Sequence, residues 1–390
     1  MGLTRRDNLL ALLSHQRVEH LSAFFVADNF NRPQPLPPGL GEEDALDPRI
    51  QRYLGGAVVD RLAISAEVSH ESRQTVQTVE TQPDGAVRRT WQTLQGTLSS
   101  LAVPSAEGET TFTVEFPIKR PADWDRLRRV LEDSFIHTDI TAIEREGQAH
   151  LARVGDDGIL YAVGPCTPIM EVTRSWAGLE RFVYDLADEP TRVLRVMELM
   201  HRLNCEHYEQ LCRHTPGRVL VNWDDVNNLH LSRRLLQEHW VPAMGDYAAI
   251  CHRYGKILVM HTCGKLQGLL DLFPETGIDA IDWLTPPPTG DVTFAEAQRI
   301  LGDGVAVMGA AEPGVMRFGT PVEVEASLHR WLTGVDLTYN FVLMVPCPLG
   351  TPLANAARVS KVLARDYGMP LNSEPGLPPL WQDPAAQWDA

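Results

Sequence analysis

KILVMHTCGK, residues 256–265, decides the fold. Ile257–Met260 form a short apolar run that reads as a buried strand, and Gly264 breaks it into a loop. NFVLMVPCPLGTP, residues 340–352, has the same design, with Pro and Gly closing the run. Working outward, further apolar strands appear in LSAFFVAD from Leu21, GILYAVGP from Gly158, RVLVNWDD from Arg218, AIDWL from Ala280 and VAVMGAAEP from Val305. Helical stretches fall between them: PADWDRLRRVLED, a long run broken near Pro190, SRRLLQEHWVPAMGDYAAICHRYG, LQGLLDLFPETG, FAEAQRILGD, VEVEASLHRWLTG and PLANAARVSKVLARDYG. Strands alternating with helices over this length imply a parallel sheet, and the count suits a (β/α)8 barrel. One stretch departs from this rhythm. Residues 74–116 alternate polar and apolar positions around a PDG turn and read as a β-hairpin or meander inserted before the main run. The expected layout is an α/β TIM barrel over 1–370 with this N-terminal excursion at 74–116. An irregular Pro-rich tail over 371–390 follows, whose Trp381 and Trp388 would pack on the body or a partner.

His261 and Cys263 are two residues apart, so in an extended chain their side chains point the same way. In a parallel barrel all strands exit on one face, and that face holds the active site. Cys347, after the last strand, can therefore converge on the other two. Two thiolates and an imidazole are three ligands of a tetrahedral zinc site with one position open, as in catalytic zinc. A redox pair of Cys263 and Cys347 would leave His261 without a role. Cys166 also follows a strand and is a reserve ligand or pocket wall, whereas Cys205, Cys212 and Cys251 fall in helices and read as packing residues. Asp224 and Asp225 end a strand, where paired carboxylates carry acid–base or supporting work, against the plainer alternatives of a helix cap or a surface turn. Glu312 is similarly placed and is a candidate weak fourth ligand. Trp176, Trp223 and Trp283 lie near strand exits and would wall a pocket, and Asn222 would orient a ligand. His70 and His230 have no pattern behind them.

The chain has 390 residues, with 44% hydrophobic and 22% charged content, as in a globular protein with a large core. Its formal net charge of −16 disfavours nucleic acid and anionic membranes as partners. The first stretch, MGLTRRDNLLALLSHQRVEHL, reads as an amphipathic helix with Leu9, Leu10, Leu12 and Leu13 on one side, not as a signal peptide. Six scattered cysteines fit a reducing compartment, and the expected location is the cytoplasm.

In this order and spacing the segments resemble the uroporphyrinogen decarboxylase-like barrels, and among them the zinc-dependent, corrinoid-linked methyltransferases. TRRDNLLALLSHQRVEHL resembles their opening helix, DGAVRRTWQTLQGTL their N-terminal hairpin region and FPIKRPADWDRL the segment after it. VNWDDV resembles their acidic strand end, LVMHTCGKL and LMVPCPLGTP their zinc-binding His-x-Cys and late Cys, and VAVMGAAEPGVMRFGTPVEVEASL the segment between those two. The decarboxylase branch carries an Arg-rich M-R-Q-A-G-R-Y motif; here the equivalent FFVADNFNRPQP has only Arg32. A substrate with many carboxylates needs several cations.

The resemblance implies methyl transfer between a small molecule and the cobalt of a corrinoid (cobalamin), with Zn2+ bound by His261, Cys263 and Cys347. Demethylation of a methoxyarene, methylamine or thioether is the favoured direction. The alternatives are thiol methylation from methylcobalamin, metal-free decarboxylation, and a non-catalytic corrinoid or metal-binding role. No segment has the D-x-H-x-x-G pattern of a cobalamin domain, so the expected partner is a separate corrinoid protein or free cobalamin, and a homodimer is compatible.

Overall fold

The computed structural model describes residues 2–26, 33–36, 40, 48–62, 67–105, 110–377 and 380. Arg32, Trp381 and Trp388 lie outside them. Eight parallel strands form the body: β1 (Ser22–Val26), β2 (Val58–Leu62), β9 (Gly158–Gly164), β10 (Val219–Asn222), β11 (Ile257–His261), β12 (Ala280–Leu284), β13 (Ala306–Ala310) and β14 (Phe341–Pro346). Their order is β1-β14-β13-β12-β11-β10-β9-β2, and a parallel bridge from Phe24 to Ala57 joins the two ends. The result is a (β/α)8 barrel with helices packed around it, as the alternation of segments predicts.

The strands are apolar throughout because both faces are covered. Alternate residues feed two different clusters. Val59, Tyr161, Val221, Val259, Ala280, Met308 and Met344 fill the barrel interior. Leu220, Leu258, Met260, Ile281, Val307 and Leu343 face the helices and belong to the larger outer cluster. This period of two decides which side chains can reach the mouth of the barrel.

β2 leaves no unbroken apolar run in the sequence. Its run is interrupted by Asp60, which is buried and accepts a hydrogen bond from the His150 ring at 2.8 Å. A carboxylate paired in this way hides a barrel strand from a search for unbroken apolar runs. LQGLLDLFPETG is not a helix either. It forms two short 3-10 turns, Leu270–Leu272 and Pro274–Thr276, because Pro274 interrupts it and Gly268 and Gly277 adopt positive φ.

The insertion is a four-stranded antiparallel meander of β4 (Val76–Thr81), β5 (Val87–Thr93), β6 (Gly96–Pro104) and β7 (Thr111–Glu115). The turn at PDG is closed by Gly85 at φ +82° and by Asp84 accepting from the Ala86 N–H. A separate antiparallel pair, β3 (Val68–Ser72) with β8 (Ser134–Thr138), links this region to the barrel. Leu98 of β6 and Trp124 of the helix Ala122–Asp133 are buried in the outer cluster and anchor the meander there. Among the described residues no helix is long and apolar enough to cross a membrane.

Gly158 opens β9 against the backbone of β2. A Cβ there would stand 1.7 Å from the Val58 carbonyl oxygen. Backbone in a barrel strand cannot move aside, so Gly158→Ala should cost about 3 kcal/mol or more, read as a lowered denaturation midpoint.

Candidate active site

The site grows from the register of two strands. In β11, Ile257 and Val259 point into the barrel, so His261 continues that face at the mouth. In β12 the inward residue Ala280 is followed two positions on by Asp282, and His261 and Asp282 are direct partners across the pair. Their side chains therefore meet. His261 Nδ1 lies 2.8 Å from Asp282 Oδ1. Cys263, two residues beyond His261, brings its Sγ to 3.2 Å from His261 Nε2.

Asp225 completes the group. It adopts the left-handed conformation, φ +54°, which a short polar side chain tolerates better than most. Its N–H donates to the His261 carbonyl at 3.0 Å, and its Oδ1 accepts from the Cys263 N–H at 2.9 Å. Ligand atoms of Asp225, His261 and Cys263 all lie within 4.8 Å of one another. Burial alone would lower the His261 pKa. The Asp282 carboxylate and the Cys263 thiol outweigh it and raise the value to about 10. A metal taking Nε2 would displace that proton, and Asp282 would stay as the partner that fixes the tautomer.

Cys347 is not in this group. It follows β14, where Val342 and Met344 face inward and Leu343 and Val345 outward, and it packs with the outer cluster. Its Sγ lies 3.8 Å from the Val345 carbonyl, and burial pushes its thiol well up. Glu312 also stands apart. It caps the helix Pro313–Phe318, with its carboxylate accepting from Val315 N–H at 2.7 Å and Thr289 Oγ1 at 2.8 Å.

Asp224 is buried beneath the group. Its carboxylate accepts from Thr167 N–H at 2.8 Å, Thr167 Oγ1 at 2.7 Å and Trp240 Nε1 at 2.8 Å. Burial raises its pKa against these hydrogen bonds. Asn222 works in the same frame: its amide donates to Pro165 O and Tyr208 Oη, and its Oδ1 accepts from Asp224 N–H. Both residues hold strand exits together rather than face a ligand.

Two indoles flank the imidazole. The Trp223 ring stacks on His261, with centroids 5.1 Å apart and planes at 19°. Trp283 meets it edge-on at 5.9 Å and 69°. By parity Trp283 should face the helices. Instead β12 carries a register shift between Ile281 and Leu284, Trp283 takes φ +61°, and its ring packs against the barrel interior. Its buried Nε1–H has no partner among the described residues. Trp176 and Cys166 lie to one side, with Trp176 Nε1 donating to Glu171 at 3.1 Å and Cys166 Sγ 3.5 Å from the Trp223 carbonyl. Asp282 is not among the site residues that the sequence motifs mark. An acid inside the apolar run AIDWL, at the parity of a neighbouring strand's His, was the available signal.

Residues 100–365 match the family model described as uroporphyrinogen decarboxylase (URO-D). The chain belongs to the URO-D family. A solved methyltransferase from Methanosarcina mazei shares this barrel fold, with 13% identity, a TM-score of 0.60, and coverage of 94% of this chain and 100% of that one. A D-psicose 3-epimerase from Clostridium cellulolyticum H10 overlaps less, at 10% identity and a TM-score of 0.32, over 59% of this chain and 80% of its own. No curated protein sequence matches.

Replacing Asp224 by Ala strands three buried donors at once. Asp224→Ala should destabilise the protein by about 3 kcal/mol or more, measured by urea unfolding.

Proposed function

We propose that this chain is a zinc-dependent methyltransferase that moves a methyl group between a small methylated substrate and the cobalt of a corrinoid, in the demethylating direction. One observation carries the reading. A group of nitrogen, sulfur and oxygen donors stands at the mouth of a URO-D-family barrel, with Asp282 held on the far nitrogen of His261. That donor chemistry suits zinc, and the carboxylate behind the imidazole is the usual support of a metal-binding His. The likeness to the Methanosarcina mazei methyltransferase over nearly the whole chain adds to it.

His261 and Cys263 would hold the metal. Cys347 is the proposed third ligand: a thiolate suits zinc, and the exit of β14 opens on the same end of the barrel. Asp225 is the rival donor, already within 4.8 Å of the other two. When bound, zinc would supply a Lewis acid for the atom that gives up the methyl group. The chain's own residues do the rest. Asp282 fixes the imidazole ring, and the Asp225 carboxylate fixes the Cys263 backbone. Trp223 and Trp283 shield the imidazole from water on two sides. The corrinoid would arrive on a separate protein or as free cobalamin.

Metal analysis separates the two candidate third ligands. Cys347→Ala should lose stoichiometric zinc, and Asp225→Ala should keep it at reduced affinity. The reverse pattern would hand the position to Asp225. Turnover is tested by following the cob(I)alamin spectrum with zinc-loaded protein and methoxyarenes, methylamines or thioethers. Zinc-dependent methylation with one class is expected, and no spectral change with any class would overturn the reading.

A further inference from the structure

Residues 223–225 form the turn on which the ligand group hangs. On one side they reach β11. The Asp225 N–H donates to the His261 carbonyl, its carboxylate accepts from the Cys263 N–H, and the Trp223 ring stacks on His261. Asp225 does this at φ +54°, a conformation that persists where surrounding contacts over-determine it. The other side of the turn is gripped by the segment that follows β9. Thr167 holds the Asp224 carboxylate through its N–H and its hydroxyl. Arg174 holds the main chain. Its Nη1 donates to the Trp223 carbonyl at 2.8 Å and to the Asp224 carbonyl at 3.3 Å.

Arg174 sits in the π-helical turn Val172–Trp176, directly after the short helix Pro168–Glu171. Such turns are rare and recur at functional sites. With Cys166, Glu171 and His207, Arg174 lines a cavity of about 470 Å3 between the barrel and the β4–β7 meander. Among the described residues it makes no ion pair; its guanidinium is spent on two successive carbonyls. Charge-assisted hydrogen bonds are stronger than those between neutral groups, so both carbonyls are held turned towards one nitrogen. The residue that follows them is Asp225.

We propose that Arg174 is a positioning residue for the metal-ligand group. It makes no hydrogen bond to Asp225, His261 or Cys263 among the described residues, and it acts through the turn. By fixing the two carbonyls ahead of Asp225 it keeps the left-handed bend, the carboxylate on the Cys263 N–H and the indole on His261. Without it the turn relaxes, the Asp225 oxygens and the Cys263 sulfur lose their spacing, and the Trp223 ring leaves the imidazole. That the cation held there is zinc rests on the methyltransferase reading above.

The test is cobalt(II) titration of the full-length, metal-free protein, read at the thiolate-to-cobalt absorption and the d–d bands. Zinc affinity is measured alongside by competition with a chromophoric chelator. The wild-type protein should bind both ions. Arg174→Met keeps an unbranched apolar stem and loses the donors. It should bind both ions about tenfold more weakly, with displaced d–d bands. Arg174→Lys keeps a cation that can serve one carbonyl and should fall between the two. Arg181→Met is the control for stability: it removes a two-bond pair to Asp185, at 2.7 and 2.6 Å, on the next helix. It should lower the denaturation midpoint and leave cobalt affinity and spectrum unchanged. The proposal is overturned if Arg174→Met keeps the wild-type affinity and spectrum, or if Arg181→Met loses as much. Where Arg174→Met does not fold, Arg174→Lys with full affinity and an unshifted spectrum overturns it. A wild-type protein that binds neither ion sinks the metal reading and this inference together. One that binds both, with every folded Arg174 variant indistinguishable from it, sinks this inference alone.

Discussion

The pairing of His261 with Asp282 is the constraint on which the site depends. It follows from strand register, because β11 and β12 run parallel with these two residues opposite one another and on the inward face. A one-residue slip would turn both side chains towards the helices and place Met260 and Ile281 at the mouth. The apolar interior resists such a slip, since it would drive Leu258 inward and Val259 outward along the same strand. The core of the barrel thus specifies the site above it. Once His261 is fixed, Cys263 follows by alternation and Asp225 by the hydrogen bonds that tie it to His261 and Cys263.

The mouth also carries strained backbone. Asp225 and Trp283 both have positive φ, an uncommon conformation for Asp and an outlier for a bulky aromatic. Such residues cost about 1–3 kcal/mol each and persist where surrounding contacts over-determine them. In both cases the strain redirects a side chain. Asp225 is turned so that its carboxylate meets the Cys263 N–H, and Trp283 is turned from the helix side to the barrel interior. Both changes act on groups beside one imidazole. The unpartnered Trp283 N–H is a further cost at the same place.

Much of this was legible in the sequence, for identifiable reasons. The apolar runs of β9 to β14 are buried on both faces, and an unbroken run is the clearest mark a strand can leave. β2 was hidden because a paired carboxylate sits in its middle. The His-x-Cys spacing was legible because two residues in a strand share a face. Cys347 obeys the same alternation: it shares the outward parity of Leu343 and Val345 and packs with the outer cluster, which its place after a strand does not by itself reveal. The Asp224–Asp225 pair looked like one unit and is two. Asp224 is a buried acceptor that holds strand exits together, and the left-handed turn sends its neighbour to the ligand group. Arg174 could not be found from the chain alone, because an Arg within a helical stretch looks like any other until its guanidinium is seen on two carbonyls.

The two polar features of this barrel end differ in kind. At the ligand group, carboxylates stand close to an imidazole and a thiol. In the cavity next to it, burial drives His207, Glu171 and Cys166 towards neutrality. Trp223 stands between them, with its ring on His261 and its carbonyl engaged by Arg174. The barrel mouth therefore carries two polar surroundings of different kind on either side of one indole.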